Sequence, residues 1–474
     1  MPGLVGLIAN DGPLAPEDVL DRMIRAQTEG RDLDFLIYSN EKVGLFLGYT
    51  WDHDLSEPPT ISWTDDEKIG VLLTGENYSS EKFRLAERYK QIGISALAEL
   101  NGCFSGVVID IQASTATLFN DRFGVDRIYY HTSPDALYFS SEAKSLLAVL
   151  PSLRAFNTLS LAEFYSVGCV MQNRSLFKDV YLLPPASAWT VQRKGKLNRG
   201  CYFDHREWEQ QAPLSYTEYT DALIETFKNI LPRYLTEPQK IGISVTGGLD
   251  SRMIMAWLQE DGRHLPCYTF AGPIRECMDV RIGRKLAQAT GHPHHVLKIE
   301  NHFFDEFPAL AERTVRLSDG NMDVSGAVEL HVNRMARSLA PIRLTGNYGS
   351  EILRSNVAFR PARSLPDYFT PEFRELVIEA GNTYRRELVG SRLSFIVSKQ
   401  MPWHHYARRS IECSQLLTRS PFLDNDLVGL AYRCPAQYAM DTAPLWRLIE
   451  RGNKTLANIP TDRALRHRPI FALT

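Results

Sequence analysis

Through residues 1–208, apolar and polar positions alternate in short runs: LVGLIA, LDFLIYS, KVGLFLGYT, KIGVLLTG, FSGVVIDI, TATLFND, RIYYHTS, ALYFSS and SAWTVQ. Turn residues bound each run. A period of two is the pattern of strands, and so many short ones predict a largely antiparallel sheet system. A polar stretch, HREWEQQAPLS (205–215), interrupts the pattern. Ser215 with Glu218 then makes a capping box, and YTEYTDALIETFKNILPRYL (216–235) has helical spacing. From residue 241 strands alternate with helices: IGISV, MIMAWLQE, LPCYTFAG, VRIGRKLAQATG, HHVLKI, long helical stretches, PIRLTG and helix again. Alternating β and α units predict a doubly wound parallel sheet. The expected fold class is α/β, with one domain over residues 1–208 and a second over 209–474.

Within the second domain, IGISVTGGLDS (241–251) carries the most chemistry. Ile241, Ile243 and Val245 suit a buried strand. Thr246-Gly247-Gly248 breaks it, and two glycines in a row allow several N–H groups to point into one concavity. Asp250 and Ser251 then open a helix. Strand, glycine turn and helix N-terminus form an anion site, since free N–H groups and the positive dipole end face the ligand. Asp250 beside it suits a metal ion that neutralises a phosphate chain. The G-x-x-x-x-G-K-[ST] spacing of a Walker A loop is absent.

Charge and cysteine content narrow the function classes. A net charge of −3 gives no electrostatic case for nucleic acid or an anionic membrane. The cysteines, at 103, 169, 201, 267, 277, 413 and 434, are scattered and never spaced C-x-x-C. That pattern points to reduced thiols and away from a structural zinc site. MPGLVGLIAND has no basic n-region, and no stretch approaches the roughly 18 apolar residues of a membrane span. A cytoplasmic protein is expected.

Several motifs, taken in order, carry a family resemblance over nearly the whole chain. TGGLDS resembles the S-G-G-x-D-S loop of enzymes that cleave ATP to AMP and pyrophosphate, with Thr246 in the place of Ser. LFNDRFGVDRIYYH (118–131) resembles R-D-x-x-G-x-x-P-L-Y-Y, FSSEAKSLL (139–147) resembles F-x-S-E-x-K-x-L, and LFKDVYLLPPAS (176–187) resembles the end of an amidotransferase-like domain. YTFAG (268–272), Asp279, LTGNYGSE (344–351) and TRSPFLDNDLV (418–428) follow. Together they resemble the asparagine synthetases and their relatives. The resemblance implies an N-terminal Ntn-type αββα amidotransferase-like domain. It implies that the second domain is of the PP-loop, adenine nucleotide α-hydrolase-like kind, with extra helices. It also implies ATP and Mg2+, bound through Val245, Thr246, Gly247, Gly248, Asp250, Ser251, Gly272, Thr345 and Gly346.

Departures from the family pattern decide the expected chemistry. Glutamine-hydrolysing members begin M-C-G-I, and their Cys uses its own α-amine as base. Here position 2 is Pro2. Thr74 replaces the Asn of N-G-E-I-Y-N, and the S-D-T-E segment is missing, since SSEKFRLAERYKQIG (79–93) runs straight into helix. The first domain is thus expected to be a degenerate glutaminase, kept as a structural partner. In the second domain, allowing one inserted residue, Tyr348-Gly349-Ser350-Glu351 falls on the family's E-G-S-D. Glu351 then becomes the second magnesium ligand beside Asp250. Without the gap, Ser350 takes that place.

Tyr348 stands where asparagine synthetases carry Glu and β-lactam synthetases carry Tyr. The β-lactam synthetases also lack the N-terminal Cys. The resemblance gives Tyr348 a part in deprotonating an amine, with Glu387 and Glu412 as candidate partners. Arg447, in Arg447-Leu448-Ile449-Glu450-Arg451, falls on the Lys that faces pyrophosphate, with Lys454 and Arg463 as rivals. Leu417 stands where asparagine synthetases carry Glu, which disfavours aspartate. GHPHH (291–295) sits in a helix-to-strand turn and WHHYARR (403–409) is short, so neither supports a metal site or RNA binding.

The expected protein adenylates a small-molecule or peptide carboxylate and passes it to an amine without hydrolysing glutamine. Specialised metabolism of the lactam- or peptide-cyclising kind fits. An ammonia-dependent asparagine synthetase and an inactive scaffold stay open, as do a homodimer and a biosynthetic partner protein.

Overall fold

The computed structural model describes residues 3–10, 15–79, 84–193, 196–237, 240–258, 264–362 and 367–463. Pro2, part of the 79–93 segment, and Arg468-Pro469 lie outside the described residues. The chain forms two compact units. The first holds Met1–Glu207, Val315–Asp323 and Val357–Ser414; the second holds Trp208–Thr314, Val324–Asn356 and Gln415–Thr474.

The first unit contains two six-stranded antiparallel sheets. One runs in space Tyr181–Leu182, Tyr129–Thr132, Ala136–Ser140, Gly3–Ala9, Leu45–Trp51, Asp34–Asn40. The other runs Leu197–Cys201, Ser187–Gln192, Thr115–Asn120, Gly102–Asp110, Ile69–Asn77, Ile61–Trp63. Strand alternation sorts the side chains into layers. Leu4, Ile8, Leu45 and Leu47 of the first sheet share a core with Leu72, Val107, Ile109 and Leu118 of the second. Val5, Leu7 and Phe46 point the other way and pack under Leu20, Met23 and Ile24 of helix Pro16–Thr28. Val71, Val108 and Phe119 likewise meet Leu85, Ala86, Ala96 and Leu97. The unit is therefore an αββα sandwich, as the resemblance implies. Each fully buried Leu or Ile contributes about 1.5–3 kcal/mol of transfer free energy.

A single boundary at 208/209 leaves the segments 315–323 and 357–414 in the second domain, whereas both pack with the first unit. Phe359, Tyr384, Phe395, Trp403 and Tyr406 join the cluster of Val5, Leu7 and Tyr129. They come from separate elements, so nothing local in the sequence names the surface they will meet.

The second unit holds a five-stranded parallel sheet, ordered His294–Lys298, Cys267–Ala271, Ile241–Ser244, Ile342–Leu344, Leu417–Arg419. The chain steps outward from Ile241–Ser244 on one side and returns to its other side with Ile342–Leu344. Tyr268 packs with Ala336 of helix Gly326–Leu339 on one face. On the other, Thr269 lies against Gly283 of helix Met278–Thr290, where an added Cβ would sit 2.7 Å from the Thr269 hydroxyl. Helices thus cover both faces, and the sheet is doubly wound. The capping box opens helix Tyr216–Ile230: Glu218 N–H donates to Ser215 Oγ at 3.3 Å and Ser215 N–H to the Glu218 carboxylate at 2.9 Å. No helix among the described residues is long and apolar enough to cross a membrane.

Candidate active site

The order of the parallel sheet reverses between Ile241–Ser244 and Ile342–Leu344. Loops leaving the carboxyl ends of two such strands diverge and open a crevice. Residues 246–249 leave the first strand and lead into helix Asp250–Trp257; residues 345–348 leave the second and lead into helix Gly349–Arg354. Glycine lets the two meet. A Cβ on Gly346 would lie 2.6 Å from Ser251 N, and one on Gly349 would lie 2.7 Å from Asp250 Cγ. Both are distances that real side chains do not adopt.

The N–H groups of the first loop are used differently from the sequence expectation of a shared concavity. Gly247 N–H donates to the Asp279 carboxylate at 2.7 Å. Thr246 N–H reaches Ser251 Oγ at 3.3 Å and Gly248 N–H reaches Thr246 Oγ1 at 3.4 Å. Acidic and hydroxyl side chains close to the loop outcompete open solvent for these donors. The last two contacts are long and end on rotatable hydroxyls.

Asp250 is the electrostatic centre of the crevice. Its Oδ1 is buried without a hydrogen-bond donor. Burial, reinforced by the negative charge of Glu351, pushes the carboxyl up to about 6, against the opposing pull of Arg354, the Ser350 N–H and Arg463. Arg354 Nη2 stands 3.5 Å from that Oδ1, an ion pair too long for a strong hydrogen bond. Glu351 sits in the first turn of its helix and accepts from Ser350 Oγ at 2.8 Å. A cavity of about 430 Å³ lies over these groups, lined by Thr246, Gly248, Asp250, Asp279, Ser350 and Arg354 among others.

Other sequence-selected residues divide between this crevice and elsewhere. Val245, Gly247, Ser251 and Thr345 are buried in the walls, while Gly272 is exposed with open space where a Cβ would be. Tyr348 is buried and caps helix Gly349–Arg354 in the left-handed conformation, at φ 73°. That costs about 1–3 kcal/mol for a residue with a side chain. Glu387 and Glu412 belong to the first unit, where Glu387 pairs with Lys399 at 2.7 Å and Glu412 with Arg408 at 3.2 Å. Arg447 is exposed on helix Ala443–Gly452, where its charge acts on Tyr216. Lys454 is exposed at the start of helix Lys454–Ala457. Arg463, with Asp462, lines the cavity.

Sequence reasoning passed over Arg354 and Asp462. Arg354 lies three positions after Glu351 on one helix, a spacing that puts both on neighbouring faces.

The residues present fit a divalent cation. Two carboxylates of like charge, one with an unpartnered buried oxygen, are destabilised until a cation arrives. No group of three His, Cys, Asp or Glu side chains among the described residues is arranged to hold a metal alone. Magnesium is suited to such a site, since it takes one or two carboxylates and completes its shell with water and phosphate oxygens. The GHPHH histidines have other work: His292 Nδ1 accepts Leu265 N–H at 3.2 Å, and His294 Nε2 pairs with Thr269 Oγ1 at 3.0 Å.

In the first unit, Thr74, Ser105 and Asp126 form a hydrogen-bonded run. Thr74 Oγ1 donates to Ser105 O at 3.0 Å and lies 3.1 Å from Ser105 Oγ, which donates to Asp126 at 2.6 Å. Burial pushes the Asp126 carboxyl up to about 6.

Two family models match successive parts of the chain. Residues 77–203 match a glutamine amidotransferase domain and residues 222–416 match asparagine synthase. A Methanocaldococcus jannaschii protein provisionally named asparagine synthetase (glutamine-hydrolyzing) 2 is 24% identical over 338 residues, covering 65% of this chain and 62% of its own. Asparagine synthetase (glutamine-hydrolyzing) 1 of Bacillus subtilis is 21% identical over 396 residues, covering 78% of this chain and 61% of its own. The chain thus spans about six-tenths of the length of these curated relatives. The structure of glutamine phosphoribosylpyrophosphate amidotransferase from B. subtilis is 10% identical, covers 80% of this chain and 89% of its own, and has a TM-score of 0.30. A likeness that slight carries no argument.

Proposed function

The chain belongs to the asparagine synthetase family, and on that premise we propose that it is an ATP-dependent carbon–nitrogen ligase that forms AMP and pyrophosphate and takes its nitrogen without hydrolysing glutamine. The observation that carries this reading is the crevice at the sheet's switch point, where the unpartnered oxygen of Asp250 faces the charge of Glu351 beside the cation of Arg354.

The chemistry follows from those charges. Asp250 and Glu351 would hold Mg2+, which when bound supplies charge neutralisation to a triphosphate. A substrate carboxylate oxygen attacks the α-phosphorus of ATP, and the bond to the oxygen bridging toward the β-phosphorus breaks with its electron pair leaving on pyrophosphate. An amine nitrogen then attacks the acyl carbon and AMP departs. Thr246 and Gly248 border the cavity with a hydroxyl and a backbone within reach of phosphate oxygens. Tyr348, held in a strained backbone at the end of this loop, is proposed to take the proton from the amine. Its Tyr rather than Glu, together with Leu417, supports an amine tethered to or bound beside the adenylated acid, as in lactam or peptide cyclisation, over aspartate and ammonia.

The first unit supports independence from glutamine. Thr74 is committed to Ser105 inside the sheet, and Pro2 stands at the family's Cys position. The reading is tested by incubating the full chain with MgATP and pools of amino acids, β-amino acids and peptides. Acid-dependent release of pyrophosphate together with AMP is the expected result. Release of ADP and phosphate, or no nucleotide binding, overturns it.

A further inference from the structure

The basic residue that sequence comparison singles out for pyrophosphate, Arg447, is exposed, and its charge bears on Tyr216, whose ring lies 4.6 Å from Tyr438. Neither Arg447 nor Tyr216 borders the cavity over Asp250, whereas Arg354 and Arg463 do. Arg354 is the better placed of the two. Its Nη2 is 3.5 Å from Asp250 Oδ1, and its Nε is buried without a hydrogen-bond partner. A guanidinium holds five N–H donors in a rigid fork and keeps its charge at any working pH. One nitrogen near a carboxylate, at a distance that makes no strong hydrogen bond, leaves that fork unsaturated at the edge of the cavity of about 430 Å³.

We propose that Arg354, assisted by Arg463, takes the negative charge that develops on the leaving pyrophosphate, and that its ion pair with Asp250 keeps the guanidinium in the crevice until a nucleotide arrives. This rests on the adenylating reading above. As the α-phosphorus accepts the carboxylate oxygen, the electron pair of the breaking phosphorus–oxygen bond moves onto pyrophosphate. Arg354 donates hydrogen bonds to those oxygens and keeps its proton, so nothing else enters or leaves the step. An arginine suits the place because a fork can grip two oxygens of one phosphate while the flanking nitrogen still faces Asp250.

The full chain is titrated calorimetrically with inorganic pyrophosphate in the presence of Mg2+, with MgATP and with AMP. Arg354→Ala is expected to weaken pyrophosphate binding about tenfold or more, the loss of one charge-assisted contact, and to leave AMP binding unchanged. Arg354→Lys, which keeps the charge and loses the fork, is expected to fall between, and carries the test if the Ala variant melts early. Wild-type affinity for pyrophosphate in both variants overturns the proposal, as does an equal loss of AMP binding. A loss that follows Arg447→Ala instead also overturns it. If the wild-type chain binds pyrophosphate and MgATP and releases AMP with an acid substrate, the adenylating reading stands whatever Arg354 does. If the wild-type chain binds neither, that reading falls and takes this proposal with it.

Discussion

Two aspartates, one in each unit, sit near the ends of strands with carboxyls pushed up to about 6 by burial. Their surroundings differ. Asp126 is the end of a hydrogen-bonded run, Thr74 to Ser105 to Asp126, with contacts of 3.1 and 2.6 Å. Each has a second carboxylate that raises it, Asp121 or Glu351, and an arginine that opposes the rise, Arg409 or Arg354. What sets Asp250 apart is a buried oxygen with no hydrogen-bond donor and Arg354 at 3.5 Å from it. The first carboxylate is engaged by the Ser105 hydroxyl. The second, on the function proposed above, is left for a cation to meet. Equal burial therefore leaves the two carboxyls in different states: one accepts from the Ser105 hydroxyl, and the other keeps an oxygen without a donor.

That contrast breaks most readily at Asp250. Asp250→Asn removes the charge while keeping the shape, and pyrophosphate release is expected to fall below detection. Unchanged release would move the active site elsewhere. The next largest effect belongs to Tyr348→Phe, which removes the proposed proton acceptor and keeps the ring. Adenylation is expected to persist while amide formation drops by about 10²–10⁴-fold, the usual worth of general base catalysis. Product mass read beside pyrophosphate release separates the two steps, and a normal product rate makes Tyr348 a packing residue.

A smaller effect comes from pH. A carboxyl raised to about 6 is protonated more readily folded than unfolded, so its contribution to stability is fully present below the ordinary aspartate range and is lost as pH rises through 6. Magnesium binding runs the other way, because it needs the ionised form. Affinity for MgATP is expected to be about tenfold weaker at pH 5 than at pH 7.5. A flat calorimetric profile would mean that Asp250 is not the group the cation meets. The smallest effect is expected in the first unit. Pro2→Cys should produce no glutamate from glutamine, since Thr74 remains turned into the sheet. Glutamate release above a heat-killed control would show that the pocket is intact and only its nucleophile is missing.

Much of both units is legible from local chemistry. Period-two runs give the strands of the first, and the β-branched run, paired glycines and first-turn acid of IGISVTGGLDS give the strand, turn and helix of the second. The Ser215 and Glu218 cap is likewise written in adjacent residues. These features depend on neighbours within a turn or two, so the sequence by itself determined them.

What lies between distant segments had to come from packing. Phe359, Tyr384, Phe395, Trp403 and Tyr406 come from separate elements, and only the fold gathers them into the core of the first unit. Arg447 matches a motif, yet its helix leaves it exposed. Arg354 matches none and lies in the crevice, because Gly346 and Gly349 let its loop close onto Asp250. Local propensity is a property of a few consecutive residues. Which cation borders the crevice depends on the placement of whole strands, and the tertiary structure alone decided it.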